Sequence, residues 1–151
     1  MEKIINENLV ELNLQGNNKT KVIEYMASLL FEEGRLSEKE VYIKEVLARE
    51  ELASTAVGFG VGIPHGKCDA VKIPSVVFGR CKESIMWDSQ GEAVRLVFLL
   101  AVPKEAASDQ HLKILAALSR KLMDEDFINL LLDSRNKASL LRELSEALST
   151  V

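Results

Sequence analysis

The chain contains two histidines, and their settings differ. His65 stands in the segment Gly62-Ile63-Pro64-His65-Gly66. Pro64 fixes its own φ and restricts Ile63. Gly62 and Gly66 withhold side chains on both sides, so the imidazole is expected in an open slot that large groups can approach. The same segment also fits a turn histidine with no chemical role. His111 lies three residues after Ser108, the expected N-cap, and so falls in the first turn of a helix. There the helix dipole disfavours an imidazolium and favours a nearby anion. His111 also shares a face with Leu115 and Leu118, so an inward packing residue is the other reading. Arg49 sits near the end of an expected helix. It is either a guanidinium offered to an anion or the partner of Glu45, four residues earlier. Such a surface pair is worth only about 0.5 kcal/mol.

No Walker loop, GxSxG, HExxH or paired-cysteine zinc pattern occurs. Cys68 and Cys81, the two cysteines, form no CxxC. His65 and Cys68 have the i, i+3 spacing of half a metal site, but no second ligand pair accompanies them. Neither a metal nor a cofactor is therefore expected. A single neutral histidine can still perform covalent chemistry as a nucleophile toward phosphorus. Such a site needs a neutral imidazole, a cation or helix N-terminus for the added negative charge, and an open face for a partner protein. His65, His111 and Arg49 could supply these parts.

Composition narrows the remaining possibilities. Acids outnumber bases by 23 to 19, for a formal charge of −4, and aromatic residues make up only 5%. Neither the basic excess nor the stacking platforms of a nucleic-acid binder are present. The longest apolar run, Leu96 to Val102, is far short of the roughly 20 residues of a membrane span. The first residues, Met1 to Asn6, lack a signal-peptide core. A cytoplasmic protein with reduced thiols is expected. At 151 residues, 47% of them hydrophobic, the chain is expected to form one domain over 1–151.

The elements that must position these residues are legible in the periodicity. Val10, Leu12 and Leu14 alternate with polar residues as in a half-buried strand. Gly16-Asn17-Asn18 then offers helix caps. Val22, Ile23, Met26, Leu29 and Leu30 follow at helical spacing, and Gly34 ends that helix. Ser37-x-x-Glu40 has the pattern of a capping box and predicts a second helix carrying Val41, Val46 and Leu47. Val57 to Gly66 holds four glycines in ten residues, which predicts a strand running into a tight turn. Val76-Val77-Phe78 and Leu96 to Val102 read as buried strands and Ile85-Met86-Trp87 as a short one, with a hairpin turn at Asp88 to Gly91. Beyond Ser108 three helices are expected. The first presents Leu112, Leu115, Leu118 and Leu122; the second carries Phe127 to Leu132. Ser134 or Asn136 caps the third. Helices on either side of a block of strands predict a mixed sheet covered by helices.

The stretch REELASTAVGFGVGIPHG, Arg49 to Gly66, resembles the phosphorylation-site region of phosphotransferase-system EIIA domains of the fructose/mannitol type. Arg49-Glu50, Val57-Gly58 and Ile63-Pro64-His65-Gly66 match the family pattern, while Gly62 stands where alanine is usual. Leu96 to Pro103, followed by His111-Leu112 and the Leu115/Leu118 helix, resembles the family's second block. The resemblance covers nearly the whole chain and implies an α/β sandwich with a mixed β-sheet flanked by helices. It implies that His65 accepts a phosphoryl group from the phosphocarrier HPr and passes it to an EIIB domain, usually at a cysteine there. It places Arg49 and His111 beside the phosphohistidine and so selects the catalytic reading of His65. The block from Gly91 to Pro103 is nearer the fructose type, which implies a role in sugar uptake. The alternative within the family is the nitrogen-type regulatory EIIA, whose phosphorylation state is read by bound proteins. Outside it, a scaffold or hydrolase with an incidental Pro-His turn is the competing reading.

Overall fold

The structure, a computed structural model, describes residues 3–105 and 109–149, except for the side chains of Gln110 and His111. A short 3-10 turn, Glu7–Leu9, leads into β1 (Val10–Leu14). Two helices follow, α1 (Lys19–Glu32) and α2 (Lys39–Leu52). The strands β2 (Ala56–Gly58), β3 (Val61–Gly62), β4 (His65–Cys68), β5 (Ser75–Met86) and β6 (Ala93–Pro103) make up the middle of the chain. Three helices close it: α3 (Gln110–Leu122), α4 (Glu125–Asp133) and α5 (Lys137–Ala147).

The sheet runs in the order β1-β5-β6-β3-β2, with β4 also pairing β6. It is mixed: β1 is parallel to β5, β5 is antiparallel to β6, and β3 and β4 are parallel to β6. Every residue of Leu96 to Val102 is buried. Successive side chains of a strand point to opposite faces, so continuous burial requires cover on both sides. Helices α1 and α2 pack together and reach β5 and β4; α3, α4 and α5 reach β6 and β1. The expected α/β sandwich is the observed fold. Residues from all these layers share one apolar core.

β3 and β4 act as one strand interrupted by proline. Gly62 pairs with Val97 and His65 with Leu100, three residues further along both strands. Pro64 has no N–H to donate, but its carbonyl accepts from Leu100 N at 3.0 Å. His65 is thus the first residue of a parallel strand rather than the tip of a turn. The turn lies earlier, at Phe59-Gly60, where φ is 58° and 75°, as a two-residue hairpin with both central residues left-handed requires. The expected turn at Asp88 to Gly91 forms, and the short strand at Ile85 is the end of the long β5.

Four expectations are corrected. Ser37 does not cap α2; its N–H and hydroxyl both donate to Ala70 O, at 2.8 and 3.3 Å. The bridge between Leu36 and Val71 draws it there, and α2 starts from Glu38 without a side-chain cap. That helix buries Tyr42, Ile43, Val46 and Glu50, while Val41 is exposed. In α3 the N-cap is Asp109, one residue beyond the expected Ser108, which lies outside the described residues. Leu112 is exposed, and Ile114 and Ala117 join Leu118 and Leu122 inside. Each step of three residues falls about 60° short of a full helical turn, which carries Leu112 about 120° around from Leu118. The other caps form as expected, with Asn18 accepting from Lys21 N and Asn136 from Ser139 N.

Candidate functional site

His65 and Arg49 meet across the junction of α2 and β4. Both line a cleft of about 280 Å³ together with Glu45, Gly66, Lys67 and Val102. The junction is close-packed because Gly66 has no side chain. A Cβ there would stand 2.9 Å from Val46 Cγ2 and 3.1 Å from Tyr42 Cε1. The Tyr42 hydroxyl crosses beneath to donate to Leu100 O at 2.7 Å, which ties α2 to the strand that pairs with His65. Burial pushes the pKa of this phenol well above its ordinary value, so it remains a donor.

The two glycines therefore do something other than frame an open slot. Gly66 admits α2, and Gly62 lies under the indole of Trp87, which would be 3.2 Å from a Cβ at that position. The alanine usual in the resembling family would press on Trp87 here. Of the residues lining the cleft, Glu45 and Lys67 are exposed, while Gly66 and Val102 are buried.

The His65 ring is half-buried, and its Nδ1 is 3.1 Å from the Ile63 carbonyl oxygen. A carbonyl only accepts, so Nδ1 carries the hydrogen in this contact. In the neutral ring the lone pair then belongs to Nε2. Arg49 donates from Nη1 to Ala53 O at 2.9 Å, closing the C-terminal end of α2. It forms no ion pair with Glu45, so the surface-pair reading of Arg49 is corrected. One guanidinium hydrogen is engaged at Ala53, while the group retains its charge and its remaining donors beside the cleft.

His111 falls in the first turn of α3, as expected, but its side chain lies outside the described residues. The structure thus brings His65 and Arg49 together and leaves the third expected member undescribed. Among the described residues, no group of three or more His, Cys, Asp or Glu side chains could hold a metal ion. Both cysteines are free thiols, and burial raises the pKa of each. No described helix is long and apolar enough to cross a membrane.

Two residues beyond the expected site residues bear on it: Lys67, and Glu50, which enters the sequence reading only through the Arg49-Glu50 match. Lys67 lies two residues beyond His65 on β4, so both point to the same side of the strand. Its signal is the i, i+2 spacing, which carries meaning only when His65 lies on a strand. Glu50 is an acid with only 5% of its surface exposed. Its carboxylate accepts from Lys19 Nζ at 3.2 Å, Trp87 Nε1 at 3.0 Å, Thr55 N at 3.4 Å and Thr55 Oγ1. Its signal was the spacing Tyr42, Val46, Glu50, which puts an acid on the apolar face of the helix.

Residues 3–147 match the family model described as "Phosphoenolpyruvate-dependent sugar phosphotransferase system, EIIA 2". The chain is 39% identical over 139 residues to a PTS system fructose-specific EIIA component of Haloferax volcanii, covering 91% of this chain and 90% of that one. It is 38% identical over 128 residues to a nitrogen regulatory protein of Bradyrhizobium diazoefficiens, covering 84% and 82%. Among solved structures, the nitrogen regulatory protein IIA-Ntr of Neisseria meningitidis superposes with a TM-score of 0.81 at 31% identity, covering 96% of each chain.

Proposed function

Because the chain belongs to the EIIA type-2 family of the phosphoenolpyruvate-dependent sugar phosphotransferase system, we propose that it carries a phosphoryl group on His65 between two cytoplasmic protein partners. The donor is phospho-HPr and the acceptor an EIIB domain, in fructose-type sugar uptake. Residues 1–151 act as one EIIA domain, without cofactor, metal or membrane insertion of its own. The observation that carries this reading is the contact of His65 Nδ1 with the Ile63 carbonyl, in a cleft that also holds the Arg49 guanidinium.

The chemistry follows from that contact. With Nδ1–H held by a carbonyl, the Nε2 lone pair attacks phosphorus. The N–P bond forms as the bond between phosphorus and the donor breaks, and the bonding electron pair stays with the donor. The imidazole ring gains positive charge in this step, and the Nδ1–H bond to Ile63 O strengthens accordingly. No proton has to move. Onward transfer is the reverse, with the EIIB nucleophile attacking phosphorus and the electron pair returning to Nε2. Arg49 offsets the negative charge of the transferred group, and Lys67 adds a second cation at the mouth of the cleft. The resemblance assigns His111 the role of a neighbouring hydrogen-bonding partner of the phosphoryl group.

Incubation with phosphoenolpyruvate, enzyme I and HPr tests the proposal. Mass spectrometry at neutral or alkaline pH is expected to show one added phosphate, absent in His65→Ala. A wild-type chain that gains none, or a His65→Ala variant phosphorylated at His111, refutes it. The regulatory reading has its own support in the nitrogen regulatory relative and the IIA-Ntr structure. Transfer from the phosphorylated protein to a panel of purified EIIB domains separates the two. Uptake requires an efficient acceptor among them, and a regulator shows none.

A further inference from the structure

Glu50 makes no contact with the cleft, yet two routes connect it to the segment that ends in His65. Through the first, its carboxylate accepts from Thr55 Oγ1 and Thr55 N, Thr55 O accepts from Ile63 N at 3.0 Å, and Ile63 O faces His65 Nδ1 at 3.1 Å. Through the second, it accepts from Trp87 Nε1, and the Trp87 ring lies against Gly62. Thr55 and Ile63 are both buried, so neither can exchange these partners for water at low cost. Lys19 Nζ approaches from α1, both at the carboxylate and 5.6 Å above the centre of the Trp87 ring. One side chain therefore joins α1, α2, β5 and the approach to β4.

We propose that Glu50 is a positioning residue for phosphoryl transfer: through Thr55 it orients the Ile63 carbonyl, which holds His65 as the Nδ1–H tautomer and leaves Nε2 as the nucleophile. Geometry supports this over a purely structural role. The Ile63 carbonyl belongs to the Ile63–Pro64 peptide unit, whose direction is set by where the backbone of Ile63 is held and by the narrow range left to a residue before proline; the Ile63 N–H bond to Thr55 O holds that residue on the side of the preceding unit. Pro64 fixes the other side of the unit, having no N–H of its own and a carbonyl held by Leu100 N. The contact with Ile63 O favours the Nδ1–H tautomer before any partner protein arrives. The inference rests on the carrier reading of His65 for its functional consequence, but not for its structural one.

The test uses the full-length chain with Thr55→Val, Thr55→Ser and Glu50→Gln. Nitrogen-15 NMR of the neutral His65 ring reads the tautomer without any phosphoryl transfer. The wild type and Thr55→Ser are expected to be predominantly Nδ1–H, and Thr55→Val and Glu50→Gln to shift toward Nε2–H. In the same two variants kcat for phosphate acceptance from phospho-HPr is expected to fall by about tenfold or more, with KM little changed, because the misplacement is at the reacting atom and not at the docking surface. Fluorescence of Trp87, the single tryptophan, reports the folded fraction. Should Glu50→Gln fail to fold, Thr55→Val decides alone. A wild-type tautomer in Thr55→Val, a rate that falls only with the folded fraction, or an Nε2–H ring in the wild type overturns the proposal. A wild type with the Nδ1–H ring that accepts no phosphate refutes the carrier reading instead.

Discussion

The Gly66→Ala substitution separates packing from chemistry at the α2–β4 junction. The added Cβ would lie 2.9 Å from Val46 Cγ2, 3.1 Å from Tyr42 Cε1 and 3.4 Å from Tyr42 Cδ1. Carbon atoms in good contact are about 3.5–4.0 Å apart. Relief therefore requires α2 to retreat by roughly 0.5–1 Å at this point, or the Tyr42 ring to swing and lose its bond to Leu100 O. Overpacking of this kind costs about 1–3 kcal/mol. For a chain of this size that corresponds to a fall in Tm of roughly 3–10 °C. The functional effect is the larger one. Arg49 rides on α2 and His65 on β4, so retreat of the helix separates the guanidinium from the imidazole. A displacement near 1 Å can cost up to about 100-fold in rate. Thermal melting followed by circular dichroism gives the first quantity, and phosphate acceptance from phospho-HPr, corrected for folded fraction, gives the second. Val46→Ala in the same chain removes the nearest clashing atom. The double variant is expected to recover part of both losses, with a favourable coupling of about 0.5–3 kcal/mol in the double-mutant cycle. Wild-type stability and rate in Gly66→Ala, or strict additivity with Val46→Ala, would refute the reasoning.

Arg49→Met keeps the aliphatic stem and removes the charge and the bond to Ala53 O; stability is expected to fall by no more than about 1.5 kcal/mol, while phosphotransfer slows by about tenfold or more, both read on the same purified protein. A large loss of stability with normal transfer by the folded fraction would assign Arg49 to the fold. For His111, Gln preserves an N–H donor and Ala does not. Phosphate acceptance is expected to survive in both variants, and onward transfer to EIIB to suffer more in His111→Ala; equal wild-type rates would make His111 a packing residue. Burial pushes the Cys81 thiol up to about 11, with the Arg95 charge opposing. The folded state thus holds its proton more tightly than the unfolded chain, and that contribution to stability is complete below pH 9 and lost as the pH rises through about 11. Denaturant midpoints measured from pH 8 to 11 are expected to decline less steeply in Cys81→Ala than in the wild type, and parallel declines would refute the assignment.

Local signals were enough for most elements of this chain. The alternation in Val10 to Leu14, the cap at Asn18, the stop at Gly34 and the unbroken apolar run from Leu96 depend only on neighbours along the chain. So does the segment Ile63-Pro64-His65-Gly66, which carried the family resemblance from sequence alone. Tertiary structure decided matters that depend on partners far away in the chain. Ser37 has the spacing of a cap, but pairing with Ala70 leaves it one residue ahead of Glu38, where the helix actually begins. Arg49 has Glu45 at salt-bridge spacing, yet the open carbonyls at the end of its own helix hold it. His65 stands in a glycine-rich stretch that predicts a tight turn; only the ladder to Leu100 makes it the start of a strand, and with that the position of Lys67 follows. Gly62 and Gly66 are small for the sake of Trp87 and α2, elements 25 residues later and 20 residues earlier in the chain. Glu50 is the clearest case. Its four donors come from α1, the α2–β2 connection and the end of β5, and no pattern in sequence brings those together. Secondary structure follows from interactions within a few residues, whereas the pairing of a buried polar group is settled only when the core closes around it.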